Sequence, residues 1–182
     1  MRHNRGAHRD FREMPTYIAL LRAVNVGGTG KLPMNELKAM CLDAGFADAR
    51  TYIASGNVLF RSTLAEAKVK SALETRLAAY AGKPVGVAVR TADALAAILK
   101  ANPFPKAAPN RTVVIFLDAP PPQDALRHAT GQKREEMKLG KREIFVHYPD
   151  GIGTSKLRIP AAKAGTARNM NTVAKLVALT AA

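Results

Sequence analysis

No run of large apolar residues in this sequence is longer than the five from Val113 to Leu117. Crossing a bilayer as a helix takes roughly 18 or more, so no membrane-spanning segment is present. The core must instead be assembled from short strands and amphipathic helices. A chain of 182 residues can bury such a core as one large domain or two small ones, without disulfides or a structural metal. The 47% hydrophobic fraction is diluted by 33 alanines, which marks a globular, alanine-rich soluble chain.

Turn signals divide the chain into elements. Tyr17 to Ala23 suits a central strand and runs into the turn-rich segment Asn25-Val26-Gly27-Gly28-Thr29-Gly30. A helix follows, opened by Pro33 in its first turn and stopped at Gly45. Ala49 to Ile53 and Val58 to Arg61 are short strands joined through Ala54-Ser55-Gly56-Asn57, where Gly56 can take positive φ. A second helix spans about Leu64 to Tyr80, and an alternating strand, Val85 to Val89, closes the series. The order βαββαβ is the ferredoxin-like unit, which buries one face of a four-stranded sheet under two helices.

Beyond it, a helix from Thr91 to Lys100 leads through a Pro-rich loop to the strand Thr112 to Leu117. A short helix from Gln123 to His128 precedes a hairpin of Glu135 to Leu139 with Arg142 to His147. Two helices, Thr154 to Ala164 with Pro160 weakening its middle and Met170 to Leu179, end the chain. This half does not read as a clean copy of the first. The expected fold class is α+β: a ferredoxin-like first half, 14–90, packed with a second α+β half, 91–182.

The net charge of +14 and pI near 10.3 favour an anionic partner such as a phosphorylated metabolite, nucleic acid or a membrane surface. Residues 1–13 hold four arginines and two acids and no apolar centre, so they read as a disordered basic tail rather than a secretory signal, with Met14 an alternative start. Most of the charge therefore belongs to the body, and beyond residue 126 eleven basic residues face four acidic ones. The single Cys41 excludes an internal disulfide framework and fits a reducing, cytoplasmic setting. It shares a helical face with Leu37, Met40 and Ala44 and is expected in the core. The four histidines show no zinc-ligand spacing, and no metal site is expected.

Candidate ligand groups cluster at loops. Arg22, Asn25, Gly27, Gly28 and Lys31 surround a glycine-rich turn that precedes a helix, an arrangement that can aim N–H groups at an anion. It is not a Walker A loop, because Asn25 stands where that motif needs Gly and Leu32 where it needs Ser or Thr. In a βαββαβ unit this loop and the hairpin carrying Ser55, Gly56 and Asn57 emerge at one sheet edge, so the two are expected to be neighbours. Ser155 and Lys156, then Arg168, Asn169 and Asn171, sit at two expected helix starts, where helix capping is the simpler role for Ser155 and Asn169.

The segments Leu20 to Gly28, Thr51 to Val58, Gly153 to Leu157 and Thr166 to Val173, in this order, resemble the bacterial family of unknown function DUF1697. The resemblance runs from about Thr16 to Leu179 and implies a ferredoxin-like first half with a related α+β second half. It implies no reaction and no cofactor. The family usually carries Trp where this chain has Met170, which leaves that position either a stacking surface or a core filler.

Three readings of function follow. In the first, a small phosphate-bearing ligand is held by these basic and amide side chains, which offer many donors and few proton acceptors. In the second, an enzyme acts on a phosphorylated metabolite at the same loops, with Ser55, Ser155 or Lys156 reacting. In the third, the motifs serve only caps, turns and partner contacts. Nucleic acid remains an alternative anion, with 5% aromatics and no Trp against it.

Overall fold

The structure, a computed structural model, describes residues 14–25 and 30–181. The expected basic tail and the candidate residues Gly27 and Gly28 lie outside the described residues. The first half, carried past the expected boundary at residue 90 by one further helix, contains β1 (Thr16–Leu21), α1 (Met34–Asp43), β2 (Ala47–Tyr52), β3 (Asn57–Arg61), α2 (Glu66–Ala81), β4 (Val87–Thr91) and α3 (Ala92–Lys100). The second contains β5 (Thr112–Phe116), β6 (Glu136–Leu139), β7 (Glu143–His147), β8 (Thr166–Asn169) and α4 (Met170–Thr180). The mixed α+β class is as expected, with two four-stranded antiparallel sheets ordered β2-β3-β1-β4 and β6-β7-β5-β8.

Strand alternation distributes β1 between two cores. Tyr17, Ala19 and Leu21 pack beneath α1 and α2, joined by Leu37, Cys41 and the Val69, Leu73, Leu77 face of α2. Ile18 and Leu20 point the other way, into a core shared by both sheets and by α3 and α4. That shared core includes Leu95, Ile98, Val114, Phe116, Phe145, Met170, Val173 and Leu176. Met170 is 3% exposed there, so it fills the core, and no ring-stacking surface is available at that position. Burial pushes the Cys41 thiol up to about 12, the condition of an inert core residue.

The second sheet corrects the sequence reading. Its order reproduces that of the first, with β5, β6, β7 and β8 in the places of β1, β2, β3 and β4. The expected helix from Thr154 to Ala164 is absent; only a single 3-10 turn forms, Pro160–Ala162, and Gln123 to His128 is reduced to another, Ala125–His128. Proline interrupts both crossovers, at Pro120 to Pro122, Pro149 and Pro160, and removes the donors a helix interior needs. The two short turns and the extended chain between them cover the outer face instead, laying Leu126, Leu157, Ile159 and Ala162 over Val113, Ile115 and Ile144. The approach is close enough that a Cβ on Gly165 would lie 2.6 Å from Ile115 Cγ2. Thr166 to Asn169, read as the run-in to a helix, is the edge strand β8.

Each half ends in the same device. Arg90 lies opposite Ile18 in β1, and Arg168 lies opposite Val114 in β5. The next residue caps a helix: Thr91 Oγ1 accepts from Ala94 N at 3.1 Å, and Asn169 Oδ1 accepts from Thr172 N at 3.0 Å. Asn169 therefore has the capping role expected of it.

Candidate functional site

The end of β1, the β2–β3 hairpin and the start of β4 meet at one sheet edge. Leu21 N donates to Gly56 O at 2.8 Å, and Arg22 N to Gly86 O at 2.9 Å. Asn25 ties the first two loops together, because its Nδ2 donates to Ala54 O at 2.8 Å and to Leu32 O at 2.9 Å. Its Oδ1 accepts from Leu32 N at 2.7 Å. The neighbourhood expected from topology for Asn25 to Lys31 and Ser55 to Asn57 is therefore present for the described residues.

The backbone here is strained. Ala23, Asn25 and Ile53 all have φ between 51 and 54°, a region that side chains with a Cβ enter at a cost, greatest for a β-branched residue. Gly56, at φ +87°, has no alternative: a Cβ would sit 2.6 Å from Val24 Cγ2 and 2.9 Å from Leu21 Cβ. Close approach of the two loops, more than turn geometry alone, requires glycine at this position.

Arg168 holds the junction from the other half of the molecule. Its Nε donates to Asn57 Oδ1 at 2.7 Å, and its Nη2 reaches Leu21 O at 2.9 Å, Ser55 O at 3.0 Å and Gly56 O at 3.2 Å. Asn57 is wholly buried and spends its amide hydrogens on Tyr52 O at 2.8 Å and Ser55 Oγ at 2.9 Å. Burial lowers the Arg168 pKa to about 10, which leaves the guanidinium charged at neutral pH.

Arg90 makes the same reach in the opposite direction. Its Nη2 donates to Leu117 O at 2.7 Å and Arg142 O at 3.0 Å, and its Nε lies 3.4 Å from Glu143 Oε1. Leu117 N donates to Arg142 O at 2.9 Å, as Leu21 N does to Gly56 O. Leu117 thus stands for Leu21, Arg142 for Gly56 and Glu143 for Asn57. Burial, followed by the charge of Arg142, lowers the Arg90 pKa, and Glu143 opposes the shift.

Beside this junction lies a cleft of about 460 Å³ walled by Arg22, Lys31, Lys83, Leu77, Tyr80 and Val85. Among the described residues its lining holds no carboxylate, imidazole or thiol. Arg22 also donates to Lys163 O, which anchors one wall to the second half. Of the expected site residues, Arg22 and Lys31 line the cleft, while Asn25, Ser55, Gly56, Asn57 and Arg168 build the junction beside it. Ser155, Lys156, Asn169 and Asn171 are not in the lining. Ser155 Oγ donates to Glu135 Oε1 at 2.6 Å, and this bond, with the backbone N–H of Lys133, holds the Glu135 carboxyl below the usual range. Lys156 is exposed in the segment bridged to Thr130 through Arg158, and Asn171 is exposed in the first turn of α4.

Lys83 and Tyr80 were missed in the sequence. The signal was available: Leu21 pairs with Val87, so the α2–β4 connection must emerge beside the end of β1. Arg90 was signalled as a lone cation directly after the apolar run Val87 to Val89. A second, open groove of about 510 Å³ runs past Phe104, Lys106, Glu136 and His147, where His147 Nδ1 is 3.3 Å from Glu136 Oε1. Among the described residues no three His, Cys, Asp or Glu side chains gather as metal ligands, and no helix is long and apolar enough to cross a membrane.

A family model described as a protein of unknown function, DUF1697, matches residues 14–145. The chain is also similar to a solved structure, a conserved bacterial protein from Streptococcus pneumoniae, with 25% identity and a TM-score of 0.76 over 91% of this chain and 98% of that one. No curated protein matches the sequence.

Proposed function

The chain belongs to DUF1697, a family of proteins of unknown function, and from that premise we propose that it binds a small anionic ligand, phosphate-bearing in class, in the cleft beside β1. The observation that carries this reading is the cleft's wall: Arg22, Lys31 and Lys83 stand in it, with no carboxylate among its described lining residues. Cations gathered without counter-charges repel one another and bind an anion with a net gain. Leu77, Tyr80 and Val85 add an apolar and aromatic side, which suits a ligand with an organic body attached to its charged group. The described lining has donors to hold a phosphate and no carboxylate, imidazole or thiol to take a proton, so the chemistry favours retention over turnover.

Isothermal titration with pyrophosphate tests this directly. Binding is expected to weaken about tenfold for each of Lys31→Glu and Lys83→Glu, since reversing one charge near an anion is worth on the order of 1.4 kcal/mol at partly screened distances. Absence of pyrophosphate binding to the wild-type chain, together with no small anion retained in native mass spectra of freshly purified protein, would overturn the proposal.

A further inference from the structure

The two halves place the same arginine in the same position, and the side chain beside its Nε differs between them. Arg90 is 2% exposed and has a carboxylate beside it, Glu143; Arg168 is 9% exposed and has an amide, Asn57, in the equivalent place. Among the described residues, none of the ion pairs includes Arg168. Its partners are an amide oxygen and main-chain carbonyls, which satisfy its hydrogen bonds and leave its charge standing. A buried ion without a counter-ion is costly, and proteins ordinarily pair it.

We propose that the ligand of the cleft supplies the negative charge that Arg168 lacks, so that Arg168 is a positioning residue whose field selects an anion and Asn57 is the residue that leaves that field open. This rests on the anion-binding reading of the cleft. The connection is structural: Arg168 grips Leu21 O, one residue from Arg22 in the cleft wall, and grips the hairpin at Ser55 and Gly56, which Asn25 ties back to the same loop at Ala54. Water is largely excluded from the guanidinium, so its field is poorly screened in the direction of the loops it holds. In the second half Glu143 terminates the equivalent field internally.

The experiment compares matched variants by pyrophosphate titration. Asn57→Asp places a carboxylate where Glu143 stands in the other half, and Asn57→Leu forfeits the same amide donations without adding charge. Ser55→Asp and Ser55→Asn form a second pair at a half-buried position, which decides the matter if the Asn57 variants do not fold. In each pair the carboxylate member is expected to bind about tenfold more weakly than its neutral match. Glu143→Gln, which also raises the net charge by one, is expected to leave affinity within about twofold, because its charge belongs to Arg90. Equal affinities within the folded pairs, or a gain for Glu143→Gln as large as the loss for the aspartates, overturn this inference while wild-type binding stands. Loss of wild-type binding would instead remove the cleft reading on which it rests.

Discussion

At the scale of single residues, Ile53 carries the clearest local conflict. It is β-branched, 49% exposed and held at φ 51°, so Ile53→Asn should stabilise the chain by about 1 kcal/mol through relief of that backbone cost. Urea denaturation reads the change. Gly56→Ala should do the reverse, by about 3 kcal/mol, because the added methyl meets Val24 and Leu21 at distances below contact and φ is positive. Glu135 offers a titration. Its lowered pKa means that its stabilising contribution is present above the unfolded carboxylate value and is lost as pH falls through the lower folded value. Ser155→Ala removes the largest cause of that lowering, so the Glu135 carboxyl should titrate at higher pH in carbon-detected NMR. Asn25 and Gly56 were legible as loop residues because turn chemistry is local, whereas Asn57, read with the same turn, is the first residue of β3. The use of Arg168 was not legible, since its acceptors in the first half lie more than a hundred positions away in the chain.

At the scale of elements, the strands and long helices followed from periodicity and turns, and most boundaries moved by only a few residues. The exceptions have a common cause. Around Leu157 and Ile159 the apolar spacing is compatible with a strand-like or a helical cover, and Pro160 with the nearby glycines tips it to extended chain. Four residues of β8 ran directly into α4, so an edge strand was hidden behind its helix's capping signal. Those caps provide a check on the equivalence of the halves. Thr91→Ala and Asn169→Ala should each cost about 1 kcal/mol, and similar losses in thermal or urea unfolding are expected because both caps begin helices that feed the same core.

At the scale of the whole molecule, the arginine exchange and the shared core bind the halves into one unit. Lys70 reaches Asp118 at 3.4 Å and Arg142 reaches Glu66 at 3.0 Å, adding charged contacts between α2 and the second half. Unfolding should therefore be a single transition, with far-ultraviolet and near-ultraviolet circular dichroism coincident. Two separated transitions would show that the halves are energetically independent. The repeated sheet order escaped the sequence because α1 and α2 have no helical counterparts in the second half, which leaves strand pairing as the common plan.

The reciprocal grip of Arg90 and Arg168 is the contact pattern of a symmetric dimer, in which residue i meets j and j meets i. A dimer of identical chains must place the same side chain at both equivalent positions, Glu at both or Asn at both. One polypeptide carrying both copies is free of that rule: it can close one of the two with an acid of its own and leave the other for an outside anion. The difference between Asn57 and Glu143 is a broken symmetry open only to the covalently joined form.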